Sequence, residues 1–164
     1  MISVADHVRT WAEIDLDAIR HNIGVVRRQI GSQAEILAVV KADAYGHGVA
    51  PVVRTLAAEA SIFGVANLKE ARDVAALGTG RDIMLLSACL PAERRAAVEE
   101  KFIVTVSGAD EAAAFADCGP ARINFKIDTG MGRIGCSADS ALEALQAVRQ
   151  MRNLEVHSIS THLP

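Results

Sequence analysis

The 164-residue chain balances 17 Lys and Arg against 20 Asp and Glu, for a formal net charge of -3. This balance gives no electrostatic reason to expect nucleic acid or an anionic membrane as a partner. The first residues, among them Asp6 and His7, are polar, and no apolar run is long enough to cross a bilayer, so we expect a cytoplasmic protein without a secretory signal. Three cysteines lack metal-ligand or redox spacing and are interpreted as reduced thiols: Cys89, Cys118 and Cys136.

Strand-like and helix-like segments alternate along the chain. After a short opening strand at 11–14, six further strands are predicted at 36–40, 62–66, 83–86, 102–106, 123–127 and 156–161. Helices are predicted between them: one capped by Asp15 and running to Ile30, then 49–59, 67–78, one with Pro91 near its start, 109–116 and 138–152. Asn67 and Glu70 form a pair of the capping-box type. Such alternation predicts a parallel sheet with right-handed crossovers.

The number of strands defines the predicted fold class. A closed (β/α)₈ barrel has eight strands and about 250 residues, with about 200 as a lower limit. We therefore predict an α/β chain that supplies about six βα units of a (β/α)₈ TIM-type barrel, which leaves the barrel incomplete. Because an open sheet exposes a long apolar edge, we expect residues 1–164 to be the N-terminal part of a longer protein, or to lean on partner chains.

Lys41 ends the second predicted strand, in a segment (38–48) that reads AVVKADAYGHG. A turn of small residues follows, and the next helix has Pro51 in its first turn. The carboxyl ends of barrel strands are where barrel enzymes keep their chemistry, and a desolvated lysine can attack a carbonyl group. From the lysine and turn alone, a solvated strand-end lysine remains the stronger interpretation.

Segment 38–48 and three further segments resemble parts of one known family. Residues 124–135 read NFKIDTGMGRIG, residues 160–164 read STHLP, and the opening WAEIDL at 11–16 is also similar. Together with 38–48, these segments resemble the alanine racemases, in the same order and over nearly the whole chain. The resemblance implies a pyridoxal-phosphate-binding barrel followed by a C-terminal β domain, which this chain does not encode.

The resemblance also implies roles for individual residues. Lys41 is similar to the lysine that holds pyridoxal phosphate covalently and acts as one of two catalytic bases. Tyr45 is similar to the tyrosine that binds the cofactor phosphate, and Arg133 to the arginine that binds its phenolic oxygen and helps to place the substrate. Met131 is similar to the residue whose backbone N–H reaches the substrate carboxylate across the dimer, and His162 to the histidine that packs on the cofactor ring. Taken singly, Tyr45 could be a packed turn aromatic and His162 a structural histidine.

Lys126 resembles a lysine that is often carbamylated in that family and that positions the arginine. Period-2 alternation supports an inward direction, because Lys126 shares a strand face with Arg122 and Asn124, whereas Ile123 and Phe125 share the apolar face. A free ammonium beside Arg133 would be unfavourable there, and a carbamate anion would be a charge-assisted partner. The alternative is a rim lysine paired with Asp128.

The resemblance implies interconversion of L- and D-alanine, which supplies D-alanine for peptidoglycan, by a homodimer whose partner subunit contributes a tyrosine as the second base. The only tyrosine here is Tyr45, so residues 1–164 alone are expected to be inactive. Alternatives are a broader-specificity amino-acid or serine racemase and a non-catalytic pyridoxal-phosphate carrier. Residues 130–135 also fit a G-x-G-x-x-G pattern, but a dinucleotide site would need it in the first βα turn of its unit, with an acidic residue ending the next strand.

Overall fold

A computed structural model describes residues 9–163, so Asp6, His7 and Pro164 lie outside the described residues. The strands are β1 (Leu37–Val39), β2 (Ile62–Val65), β3 (Asp82–Leu85), β4 (Ile103–Val106), β5 (Ala121–Asp128), β6 (Cys136–Ser137) and β7 (Leu154–Ser160). The helical segments are α1 (Leu16–Ile30), α2 (Lys41–Gly46), α3 (Val49–Leu56), α4 (Leu68–Ala75), α5 (Arg94–Glu99), α6 (Ala109–Ala116) and α7 (Ala138–Arg149), with a 3-10 turn at Pro91–Glu93.

Helix starts follow the local sequence. The Asp15 carboxylate accepts hydrogen bonds from Asp17 N at 2.9 Å and Ala18 N at 3.0 Å, which confirms the predicted cap of α1. The Asn67 side chain likewise accepts from Glu70 N at 2.9 Å and begins α4. These bonds satisfy backbone N–H groups that have no partner inside the helix.

The sheet is parallel throughout, and its main strands lie side by side in chain order. Pairing runs β1-β2-β3-β4-β5-β7, while the two-residue β6 pairs with the end of β5. Right-handed crossovers between strands in unbroken order keep the helices on one face, which is how a TIM-type barrel is wound. A dinucleotide-binding sheet reverses its strand order, and this one does not. The described chain is thus an open, incomplete α/β barrel, as predicted.

The two faces of β5 have different surroundings: one packs in the apolar core between sheet and helices, and the other lies on the inner face of the sheet. Ile123 and Phe125 are fully buried in the core between sheet and helices. On the opposite face, Asn124 donates to Thr105 Oγ1 at 3.0 Å and accepts from Ser158 Oγ at 3.0 Å. This polar row, buried at Thr105 and Asn124, fixes three neighbouring strands relative to one another and confirms the predicted alternation.

Four features differ from the sequence prediction. The opening segment 11–14 forms no strand, and Trp11 is 65% exposed, because a segment becomes a strand only where another backbone pairs with it. Several elements are shorter than predicted, α3 and α7 among them, and β6 was not predicted. The Pro91 segment begins as a 3-10 turn before α5. Within residues 9–163, no helix combines the length and apolar character needed to span a membrane.

Candidate functional site

A cavity of about 380 Å³ opens at the carboxyl ends of the strands. This volume lies within the range of small-molecule sites. Its wall includes all six residues that were predicted from the sequence as site residues: Lys41, Tyr45, Lys126, Met131, Arg133 and His162. They come from three separate segments of the chain, after β1, along and after β5, and after β7. The fold therefore brings the three motifs together at one site.

Lys41 begins an unusual turn. Ala42, Asp43, Ala44 and Tyr45 all have positive φ, between 51° and 57°, with ψ between 36° and 52°, so α2 is a left-handed helical turn. Left-handed helical backbone costs about 1–2 kcal/mol per L-residue. The sequence predicted a turn here but not its hand. The turn brings both Lys41 and Tyr45 to the wall of the cavity.

Hydrogen bonds from outside hold this turn. Asp43 Oδ1 accepts from Val49 N at 2.7 Å and so joins the turn to the start of α3. The Glu70 carboxylate accepts from Ala42 N at 3.0 Å through one oxygen and from Ala66 N at 2.8 Å through the other. The predicted capping-box pair is therefore half formed, because Glu70 bonds these two loops rather than the backbone N–H of Asn67.

The loop after β5 carries Met131 and Arg133. Asp128 Oδ1 accepts from Gly130 N at 2.9 Å and Gly132 N at 3.1 Å. These backbone N–H donors hold the pKa of the Asp128 carboxyl below its usual range. In residues 9–163, no ion pair joins Asp128 to Lys126, so the alternative rim pairing is not formed.

Gly135 closes this loop where side chains are excluded. Its φ is +138°, and a Cβ there would lie 2.5 Å from the backbone nitrogen of Asp128 and 2.7 Å from the carbonyl carbon of Ile127. Real Cβ atoms do not approach so closely, so only glycine lets the loop return against the end of β5. That return aligns Cys136 with Ile127 in the β5–β6 pairing.

Lys126 has a distinctive electrostatic environment. Burial lowers the pKa of the Lys126 ammonium, the positive charge of Arg133 lowers it further, and Asp128 opposes the shift. A larger share of neutral amine is therefore present at this position than at an ordinary surface lysine. A neutral amine is the form that reacts with electrophiles such as carbon dioxide.

A register shift aligns the end of β7 with the site. Ile123 pairs with Val156 but Asn124 pairs with Ser158, so His157 is an extra residue, and Ser160 comes to lie opposite Lys126. Beyond the strand, the Thr161 and Thr129 hydroxyls are hydrogen-bonded at 2.7 Å. This bond joins the loop after β5 to the segment that carries His162.

The wall chemistry suits an anionic ligand with a carbonyl group. Lys41 offers a primary amine, Tyr45 a hydroxyl, Lys126 a second amine and Arg133 a cationic guanidinium. In the part of the chain that the structure describes, no three His, Cys, Asp or Glu side chains cluster as metal ligands would. The wall thus combines amine, hydroxyl and guanidinium groups.

Comparison with known proteins agrees with this site. The family model described as "Alanine racemase, N-terminal domain" matches residues 14–164. The chain is 42% identical over 159 residues to an alanine racemase of Desulforamulus reducens, and the match covers 93% of this chain and 43% of that protein. The chain thus spans less than half the length of this curated relative.

Solved structures match over the same part of their chains. An alanine racemase of Clostridium difficile 630 superposes with a TM-score of 0.89 at 27% identity, covering 96% of this chain and 43% of that one. A histidine racemase from Leuconostoc mesenteroides superposes with a TM-score of 0.82 at 29% identity, covering 91% and 42% respectively. The fold is therefore shared by racemases named for different amino acids.

Proposed function

This chain belongs to the family of alanine racemase N-terminal domains, and we propose that the intact protein interconverts L- and D-alanine with pyridoxal phosphate bound at Lys41. The observation that carries the proposal is the meeting of the Lys41 turn and the Arg133 loop at one cavity. The proposal includes a cytoplasmic homodimer that supplies D-alanine for peptidoglycan.

The cavity residues fit the cofactor. When bound, pyridoxal phosphate withdraws electrons from the substrate α-carbon and so makes the α-proton labile. Lys41 would hold the cofactor covalently through its amine, and the Tyr45 hydroxyl would donate to the phosphate. Arg133 would donate to the phenolic oxygen, and His162 would pack against the ring. Met131 lies on the same loop as Arg133. By the resemblance, its backbone N–H would meet the substrate carboxylate across the dimer.

Racemisation requires proton transfer on two opposite faces of one carbon. Lys41 Nζ would take up or return the proton on one face. The resemblance to the alanine racemases implies that the second base is a tyrosine of the partner subunit. The only tyrosine of residues 1–164, Tyr45, is assigned to the phosphate in this proposal. A polypeptide of residues 1–164 alone should therefore leave alanine unchanged, since general acid–base assistance contributes about 10²–10⁴-fold.

Lys126 is proposed to be carbamylated in the intact protein. Its neutral amine would bond to carbon dioxide and release one proton, and the carbamate oxygens would then face the Arg133 guanidinium. The lowered pKa of Lys126 supports this, because burial and the Arg133 charge both favour the reactive neutral form. Degassing at low pH should reduce activity, and bicarbonate should restore it. An intact site with Lys126 as a free ammonium bonded to Asp128 would contradict the proposal.

The direct test is turnover of a single enantiomer. L-alanine incubated with the intact protein and saturating pyridoxal phosphate should yield D-alanine, detected by chiral chromatography. The Lys41→Ala variant should lose both turnover and the absorbance of the lysine-linked cofactor. Enantiomeric purity that does not change with the unmodified protein would overturn the assignment and favour the non-catalytic carrier.

A broader-specificity racemase is the second candidate. It is favoured by the structural similarity to a protein named as a histidine racemase. Serine, histidine and other amino acids should be compared with alanine in the same assay. A kcat/KM for alanine at least tenfold above the others supports the alanine assignment, and a flat profile supports the broader one.

A further inference from the structure

The left-handed turn after Lys41 needs support from elsewhere in the molecule. Four consecutive residues with side chains, Ala42 to Tyr45, adopt backbone angles that favour glycine. Such conformations persist only where surrounding contacts impose them. Because the turn sets the direction in which Lys41 leaves β1, whatever holds the turn also holds the lysine.

The Glu70 carboxylate is placed to provide that support. One of its oxygens accepts from Ala42 N at 3.0 Å, and that nitrogen is bonded to the carbonyl carbon of Lys41. The other oxygen accepts from Ala66 N at 2.8 Å, just beyond the end of β2. A carboxylate that bridges two backbone N–H groups makes charge-assisted bonds, which are stronger than those of a neutral acceptor. Glu70 therefore ties the start of the left-handed turn to the neighbouring strand.

Glu111 shows that this bridge is not simply part of a helix cap. Its carboxylate accepts from Ser107 N at 2.9 Å, four residues earlier, as Glu70 accepts from Ala66 N. Both glutamates lie in the first turn of a helix that follows a strand. Among the hydrogen bonds of residues 9–163, only Glu70 adds a second bond to another βα loop. That second bond ends at the residue that follows Lys41.

We propose that Glu70 is a positioning residue for Lys41, acting through the left-handed turn to aim the amine into the cavity. The inference rests on the proposed role of Lys41 in cofactor attachment. Without the bridge, the turn relaxes toward backbone angles that its residues prefer, and Lys41 and Tyr45 no longer meet the cofactor together. Cofactor affinity should fall even though Glu70 itself does not line the cavity.

The test compares Glu70→Ala and Glu70→Gln with Glu111→Ala and Glu111→Gln in the intact protein. Two quantities are measured: the dissociation constant of pyridoxal phosphate, from the absorbance of the lysine-linked form, and the hydrogen-exchange rate of the Ala42 amide in cofactor-free protein. Glu70→Ala should weaken cofactor binding and speed Ala42 exchange by about tenfold or more, the effect of losing a bond to a charged acceptor. Glu70→Gln keeps one neutral acceptor, so its cofactor affinity and Ala42 exchange rate should lie between those of Glu70→Ala and those of the unmodified protein.

The Glu111 variants should lose a similar local cap. Their cofactor dissociation constant and Ala42 exchange rate should stay within about twofold of the values for the unmodified protein. Unchanged binding and exchange in Glu70→Ala, or equal losses in both glutamate pairs, would overturn the proposal. If the unmodified protein attaches no cofactor at Lys41, the proposed function fails. The Ala42 exchange rate still decides whether Glu70 holds the turn.

Discussion

Two loops on either side of the cavity use left-handed backbone in opposite ways. The turn after β1 adopts it at Ala42, Asp43, Ala44 and Tyr45, none of which is glycine. The loop after β5 reserves its positive φ angles for three glycines, Gly130, Gly132 and Gly135. Glycine adopts these angles without steric cost, whereas alanine, aspartate and tyrosine do not. The first loop is therefore strained and the second is relaxed.

The difference is reflected in how each loop is held. The strained turn is held by Asp43 and by Glu70, the latter 28 residues from the Ala42 amide to which it bonds. The relaxed loop is organised by its own strand end, through Asp128 and the amides of Gly130 and Gly132. The conformation of the strained turn after Lys41 thus depends in part on a contact from a distant segment. The conformation of the Arg133 loop is largely determined by local sequence.

The largest effect is expected in the relaxed loop. Gly135→Ala should destabilise the intact protein by about 3 kcal/mol or more, because the new Cβ meets the β5 backbone at a position of positive φ. Gly132→Ala is the matched control: its φ is +69°, nothing lies within 4 Å of a Cβ there, and the loss should be about 1 kcal/mol. Denaturant midpoints measure both variants. Equal losses of stability would show that the nearby β5 backbone is not the reason that position 135 requires glycine.

A second pair of variants addresses the strain in the turn after Lys41. Ala42→Val should destabilise by about 1–2 kcal/mol, since a β-branched residue is a marked outlier at φ 51°. Ala138→Val, at the exposed start of α7, should cost only a few tenths of a kcal/mol. Thermal unfolding compares the two. A valine equally tolerated at both positions would mean that the turn is not left-handed in solution.

A substitution that relieves the strain in the turn should stabilise the protein, by less than Ala42→Val destabilises it. Ala42→Gly removes the left-handed penalty at one residue but adds unfolded-state entropy, so a net gain of about 0.5–1 kcal/mol is expected. The same change at Ala138 should destabilise, because glycine lowers helix propensity. Destabilisation by Ala42→Gly would place Ala42 in ordinary backbone and remove the contrast between the loops.

The smallest effect concerns pH in the loop after β5. The folded pKa of Asp128 lies below its unfolded value of about 3.9, so its stabilising bonds are complete above that value and disappear as pH falls through the lower folded pKa. Hydrogen exchange at the Gly130 and Gly132 amides should report this. In Asp128→Asn, these amides should lack that acid-dependent step. Loss of protection already above the unfolded pKa would contradict the assigned bonds.

The sequence predicted the parallel sheet and the positions of the three motifs because both depend on local patterns. Strand-like runs alternate with helical stripes, and the β5 alternation placed Asn124 and Lys126 opposite the core face. The hand of the Lys41 turn could not be predicted, since Ala42, Ala44 and Tyr45 do not favour left-handed backbone. The bond from Glu70 to Ala42 was likewise hidden, because sequence reasoning used Glu70 only as a helix cap.

The absence of the predicted opening strand also has a cause that lies outside the local sequence. Residues 11–14 were predicted as a short strand, but strand formation depends on a pairing partner, and in the described structure β1 pairs only with β2. β6 was missed for the reverse reason. It has two residues, Cys136 and Ser137, and exists because Gly135 brings them against the end of β5.

The central claim, that the strained turn presents Lys41 as the point of cofactor attachment, can be tested by one measurement. The intact protein is loaded with pyridoxal phosphate, reduced with borohydride to make any lysine–cofactor bond permanent, and digested for peptide mass spectrometry. We predict a single modified site at Lys41, with Lys126 free of the cofactor. Stoichiometric modification of another lysine, or none under saturating cofactor, would contradict the account.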